Sequence, residues 1–336
     1  MTTLTDRALG ALTGLALGDA LGMPTQSLSR EQIARDIGPV TGLIDARDDQ
    51  PIAPSMPAGS VTDDTEQALL VARLLVDGGG TVTPRAFADA LMAWEETMRA
   101  KGSLDLLGPS TSAAIASIAA GADPASAGKT GTTNGAAMRV TPVAIAVPSA
   151  DPEPLLRAVH DLSFVTHNTG LGLSGAAAIA GAVSAAIDGA GVDDALAYGI
   201  DLARRAESMG HWVAGASIPD RAEWVLPTTS AMDVGELADF LVGVVGTSVQ
   251  SQESVVSALV IASRFRDDPY AGLCLAATIG GDTDTVAAMA GAILGAANGA
   301  AVFPDGAVAT MSTVSGLDLP GVTRELLELR AATATD

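Results

Sequence analysis

The sequence predicts an all-α protein built as one domain. Runs of Ala, Leu, Val and Gly recur between recognisable helix starts and stops, and no stretch alternates β-branched with polar residues over strand length. Aromatic residues make up only 3% of a chain that is 48% hydrophobic. A core without large rings must come from close packing of small aliphatic side chains, which suits helix against helix. No linker divides the 336 residues and no period of 20–50 residues stands out, so a single domain over residues 1–336 is expected.

The helices are expected in the following order. Residues 7–21 form the first. Its apolar stretch follows Arg7 as the middle of a secretory signal would, but Asp6 and Asp19 flank it and no clear small-x-small cleavage site follows. It therefore reads as a core helix, in which a buried Asp19 must be hydrogen-bonded. Residues 65–76 end at Asp77-Gly78-Gly79-Gly80, a strong stop. Thr83-Pro84 opens a helix to about residue 99, with Thr as cap and Pro at the first helical position. Residues 110–120 stop at Gly121. Residues 155–164, 170–187, 192–209, 235–245, 251–265, 269–278, 285–301 and 321–331 complete roughly a dozen. Within 285–301, Gly291, Gly295 and Gly299 recur every fourth position, a bare stripe that favours close helix–helix approach. Two segments are expected to be irregular, 29–60 and 209–233; the second carries His211, Trp212, Pro219, Trp224 and Pro227. Loops of this length in compact domains are often functional.

Charge and composition exclude several classes. Eighteen Lys+Arg against 39 Asp+Glu leave a formal charge of −21, which repels a phosphate backbone and argues against nucleic-acid binding. The single cysteine, Cys274, rules out an intrachain disulfide and fits a reducing, cytoplasmic setting; it reads as an inert thiol in an apolar run. Residues 287–303 are apolar but Ala/Gly-rich and interrupted by Asn298, so no membrane span is expected there.

Two acidic motifs, 219 residues apart, carry the chemistry: Thr62-Asp63-Asp64-Thr65 and Gly280-Gly281-Asp282-Thr283-Asp284-Thr285. Each sits at a helix start. Either alone is explained by capping, because Thr and Asp favour helix N-termini. Together they make a set of hard oxygen ligands. Asp63 and Asp64 point about 100° apart on a helix, so they can meet one ion from two sides. An all-oxygen set suits Mg²⁺, Mn²⁺ or Ca²⁺, whereas zinc lacks its Cys/His cluster.

With these motifs on view, the chain resembles the ADP-ribosylglycohydrolases, the group that includes dinitrogenase reductase-activating glycohydrolases and ADP-ribosyl-acceptor hydrolases. The resemblance runs from about residue 4 to 301. It rests on Gly14-Leu-Ala-Leu-Gly-Asp-Ala-Leu-Gly22, Gly59-Ser-Val-Thr-Asp-Asp-Thr65, Asn134-Gly-Ala-Ala-Met-Arg-Val-Thr-Pro142, Thr166-His167 and Gly280-Gly-Asp-Thr-Asp-Thr285, in that order. It implies an all-α, orthogonal multi-helix domain with two Mg²⁺ ions, or Mn²⁺, in a cleft. Thr62, Asp63 and Asp64 would bind one ion, Asp282 and Thr285 the other, and Asp284 would bridge them. The implied reaction is hydrolysis at C1″ of a ribose, through an oxocarbenium-like state. The implied partner is an ADP-ribose or riboside small molecule, or an ADP-ribosylated protein.

Asn134, Gly135, Arg139 and His167 are candidate substrate contacts; Arg139 could equally be a structural pairing residue, and His167 a satisfied core histidine. One departure stands out. Gln26 falls where many family members place a glutamate, and an amide orients water without taking a proton at neutral pH. The catalytic candidates are thus Asp63, Asp64, Asp284 and Gln26, with Asp105 a weaker one. Trp212, Trp224 and Tyr270 are the available stacking platforms for an adenine, each with core packing as the plainer reading. Three functions remain open at this stage: an ADP-ribosyl hydrolase, a metal-dependent N-riboside hydrolase acting on a small nucleoside-like substrate, and a non-catalytic ADP-ribose-binding protein.

Overall fold

A computed structural model describes residues 2–100 and 107–333; Asp105 lies outside the described residues. Among the described residues there are eighteen α-helices and no strand. The first four are α1 (Leu4–Gly22), α2 (Arg30–Asp36), α3 (Asp63–Asp77) and α4 (Pro84–Ala100). Five follow: α5 (Pro109–Ala119), α6 (Pro124–Ala127), α7 (Gly135–Met138), α8 (Thr141–Ala146) and α9 (Pro152–His167). The central group is α10 (Gly170–Ile187), α11 (Val192–Ala206), α12 (Ile218–Thr229) and α13 (Val234–Phe240), which runs on into a π-helical turn, Leu241–Val245. The last are α14 (Ser251–Arg264), α15 (Pro269–Ala276), α16 (Thr283–Asn298), α17 (Asp305–Ser315) and α18 (Leu319–Thr333).

The seam between α1 and α16 organises the molecule. The two helices run antiparallel, and Gly10, Gly14, Gly18 and Gly22 of α1 face Gly295, Gly291, Ala287 and Asp284 of α16. A methyl group on Gly14 would fall inside the carbonyl of Gly291, and one on Gly291 inside the carbonyl of Gly14. The absent side chains let the backbones touch, as the four-residue stripe predicts. Because the stripe ends at Gly22 against the backbone of Asp284, the seam also fixes where α16 begins.

The small-residue core extends outward from that seam. Every residue of α10 is buried, and it packs on α11, α9 and α16. It is the one described helix long and apolar enough to cross a membrane, and it lies wholly inside the fold. Two cations, Arg7 half-buried and Arg330 buried, close helix ends. Arg7 donates to the carbonyls of Ala186 and Ala297, at the ends of α10 and α16, at 3.0 and 2.6 Å. Arg330 on α18 donates to Ala144, Ile145 and Val147 at 2.9–3.0 Å and pairs with Asp188 at 2.6 Å. Both satisfy carbonyls that a helix C-terminus leaves open.

Both segments expected to be irregular contain helices. Within 29–60, Ser29 and Gln32 form a capping box that starts α2. Within 209–233, Ser217 caps α12, Pro219 sits in its first turn, and Pro227 falls close enough to the C-terminus to be accommodated. The short helices α6, α7, α8 and α17 were not expected either; four to six residues give too little periodicity to read in the first three cases.

Candidate active site

The first acidic motif is shaped by α1. Thr62 caps α3, and Asp19, fully buried in α1, accepts hydrogen bonds from the Thr62 and Thr65 backbone N–H groups at 3.0 and 3.1 Å and from the Thr65 hydroxyl. A carboxylate from one helix thus caps the start of another, as the buried position of Asp19 demands. Burial raises its pKa to about 6 against these stabilising bonds.

The second motif is shaped by its glycines. Gly280 and Gly281 adopt φ of +86° and +82°, and a side chain on either would strike the backbone of Arg30 or of Thr247. The loop is tied on both sides: Ser27 N–H donates to Gly281 O at 2.7 Å and Asp282 N–H to Thr247 O at 2.7 Å. Thr25 and Thr283 share a hydroxyl contact of 3.0 Å that pins the end of α1 to the start of α16.

The two motifs meet. The Thr285 hydroxyl donates to Asp64 Oδ2 at 3.1 Å, bridging positions 221 residues apart. Asp63, Asp282 and Thr285 reach the surface of a cleft of ≈ 260 Å³, together with Gln26, Asn134 and Gly135. Thr62, Asp64 and Asp284 lie buried beneath. Asn134 donates its amide to Asp282 Oδ2 at 2.5 Å and to Ser254 Oγ at 2.9 Å. Burial lifts Asp282 to about 6, with the bonds from Asn134 and Thr285 pulling the other way. Burial, then the charges of Asp284, Asp63, Asp19 and Asp282, hold Asp64 well above the usual carboxylate range.

The donor chemistry fits a hard cation. Asp64 Oδ1 is buried with no hydrogen-bond partner, while four further carboxylates press on it electrostatically. A divalent ion among these oxygens would relieve both costs. Among the described residues no three carboxylate, imidazole or thiol groups are already drawn into a ligating cluster; threonine hydroxyls and the Asn134 amide are interleaved with the carboxylates instead.

Two expected substrate contacts sit elsewhere. Arg139 and His167 are almost fully buried behind Gly135, where a methyl group would lie 3.1 Å from His167 Cε1. Arg139 donates to Gln67 Oε1 at 2.8 Å and Thr166 Oγ1 at 2.6 Å, and its guanidinium stacks 5.0 Å from the Phe87 ring centre. His167 bonds Thr133 Oγ1 at 3.0 Å and Thr166 Oγ1 at 2.8 Å. Burial and the Arg139 charge hold it neutral, far below its ordinary pKa. Both lie behind the cleft wall rather than in it. The expected aromatic platforms are not in the wall either: Ile52, Leu107, Met138 and Val249 supply its apolar surface. Trp212 is 86% exposed, and Trp224 packs on Phe240 on the outside. Cys274 is half-buried, with its thiol pushed up to about 11 by burial, which fits an inert side chain.

Three residues not singled out by sequence touch this site. Gln67, one helical turn after Asp63, donates to Asp63 Oδ2 at 2.7 Å. Thr111 and Thr133 line the cleft. Only the i, i+4 spacing of Asp63 and Gln67 offered a signal.

A sequence profile for ADP-ribosylglycohydrolase matches residues 1–335. The chain belongs to the ADP-ribosylglycohydrolase family. Membership sets hydrolysis of a glycosidic bond as the reaction class. Among related sequences, Escherichia coli K12 YegU, itself uncharacterised, is 34% identical over 94% of both chains. An uncharacterised Archaeoglobus fulgidus protein is 31% identical over 85% of both. The ADP-ribosyl-[dinitrogen reductase] glycohydrolase of Rhodospirillum rubrum is 32% identical over 48% of this chain and 52% of its own. A solved ADP-ribosylglycohydrolase-related protein complex superposes over 98% of this chain and 99% of that one, with a TM-score of 0.67 and 25% identity.

Proposed function

We propose that the cleft hydrolyses the C1″ glycosidic bond of an ADP-ribosyl adduct and releases ADP-ribose, with two Mg²⁺ or Mn²⁺ ions as cofactors. The observation that carries this reading is the meeting of the two acidic motifs, Thr285 Oγ1 on Asp64 Oδ2 at 3.1 Å, around a buried carboxylate oxygen with no partner. Thr62, Asp63 and Asp64 would hold one ion, Asp282 and Thr285 the other, and Asp284 would lie between them. When bound, the ions would supply Lewis-acid polarisation and make water easier to deprotonate. The chain's own residues do the remaining work. Asp63 stands at the cleft surface, where a carboxylate can take a proton from attacking water. Asn134 holds Asp282, and the side-chain-free Gly135 keeps that wall of the cleft open.

A second reading, hydrolysis of a small N-riboside, has its own support. Gln26 is buried in the cleft wall, and its amide nitrogen has no protein partner. It is a donor awaiting an acceptor, and it takes no proton near neutrality. The cleft volume of ≈ 260 Å³ also falls just below the ~300–1,000 Å³ common for drug-sized ligands. On either reading the partner is a ribose-bearing small molecule or an ADP-ribosylated protein, met in the cytoplasm. The test is hydrolysis of ADP-ribosyl-arginine, ADP-ribosyl-serine and a nucleoside panel with Mg²⁺, Mn²⁺ or EDTA, beside Asp284→Ala. Cation-dependent release of ADP-ribose, lost in the variant, supports the first reading. Release of free base or ribose replaces it with the second, and binding without turnover leaves a ligand-binding protein.

A further inference from the structure

We infer that Gln67 is a positioning residue that couples the buried Arg139 cation to Asp63 and thereby sets the affinity of the site for a divalent ion. This rests on the metal reading above. Gln67 is fully buried on α3. Its amide nitrogen donates to Asp63 Oδ2 at 2.7 Å while its amide oxygen accepts from Arg139 Nη1 at 2.8 Å. Carboxylate, amide and guanidinium thus form one line. The arrangement answers a problem posed by Arg139. Its side chain is 2% exposed, its Nε has no partner, and its remaining bonds go to neutral hydroxyls. A buried cation needs a counter-charge. The charge of Asp63 acts on it from one residue away, through an amide that both ends polarise.

For Asp63 the consequence is orientation. One carboxylate oxygen is held by a donor whose own position is fixed by Arg139, Phe87 and Thr166, so the carboxylate meets an ion in a set direction. Groups that orient metal ligands in this way typically change metal affinity by about 10–100-fold when removed.

The experiment is Mg²⁺ and Mn²⁺ titration by calorimetry of the whole chain, comparing wild type, Gln67→Met, Arg139→Met and the double variant. Circular dichroism and cation-free melting serve as the folding control. Each folded single variant is expected to bind about 10–100-fold more weakly. The double variant is expected to lose no more than the weaker single one, because both break the same line. Unchanged affinity in a folded single variant overturns the proposal, even if its melting temperature falls, since that is what a purely structural role gives. Additive losses in the double variant overturn it too. If Gln67→Met does not fold, Arg139→Met alone is read by the same criterion. Absence of cation binding by wild type would instead defeat the metal reading itself.

Discussion

Gly14→Ala sets two effects of opposite sign against each other. Alanine is the better helix former, and in an open helix the exchange gains about 1 kcal/mol. At Gly14 the new methyl group would lie inside the Gly291 carbonyl and 3.0 Å from the Phe303 ring. The carbonyl belongs to the backbone of α16 and cannot rotate away. Overpacking of this kind costs ~1–3 kcal/mol and sometimes more, so the steric effect prevails and the helices must part. With about 2–4 °C for each kcal/mol in large domains, the melting temperature should fall by several degrees. Gly306 on α17 is the control, because nothing lies within 4 Å of the methyl group it would gain. Gly306→Ala should leave the melting temperature unchanged or raise it slightly. Differential scanning calorimetry in EDTA compares the three proteins. A rise for Gly14→Ala matching that for Gly306→Ala would refute the backbone-contact account of the seam.

Further outcomes follow from the site. Gly22→Ala, whose methyl group would strike the backbone of Asp284, should weaken divalent-ion binding by calorimetry more than Gly14→Ala does, because it displaces the second motif directly. Saturating Mg²⁺ should stabilise the wild type by about 2.7 kcal/mol for each bound ion at a hundredfold excess over Kd, and EDTA should reverse it; a melting temperature indifferent to both would count against the cation. Asp64→Asn should raise the melting temperature of the cation-free protein, by removing a buried charge that Asp284, Asp63, Asp19 and Asp282 repel, and should abolish the Mg²⁺ response. His167 has a folded pKa below its unfolded value of about 6.5, so the unfolded chain takes up that proton first and stability falls as pH drops below 6.5. The raised carboxyls Asp19 and Asp282 act in the opposite direction, losing stability as pH rises through about 6. Subtracting the melting profile of His167→Asn from that of wild type over pH 5–8 isolates the histidine. A flat difference would show that His167 titrates normally.

Most helices of ten or more residues were legible where a cap or stop stood beside a small-residue run, as at Thr83-Pro84 and at Asp77 through Gly80; α12 and α17 were missed although Ser217 and Gly316 bound them. The Gly291/Gly295 stripe announced a close contact. Its partner stripe in α1 was not read as one, because a contact between distant segments leaves no mark at short range. In the site, the acidic motifs declared which residues carry oxygen but not which face the cleft. Asp63 surfaces while Asp64 is buried, although both occupy the same turn of α3. Arg139 and His167 were the least legible. A polar side chain within a motif looks the same in sequence whether it touches a ligand or braces the wall behind one, and only the chain Gln67–Arg139–Thr166–His167–Thr133 separates the two roles.

The α1–α16 seam has a bearing on how the protein is made. Gly291 follows Gly14 by 277 positions, so at ~5–20 residues per second a ribosome needs roughly 14–55 s to deliver the partner helix. Throughout that interval α1, buried on all sides from residue 10 to 22 in the finished fold, lacks the helix it packs against most closely, and only smaller contacts, such as that of Asp19 with the start of α3, can form. A segment made long before its main partner is therefore among the last to be fully enclosed. Nascent chains halted before residue 283 should be held by chaperones that grip apolar segments, and released once α16 is clear of the exit tunnel.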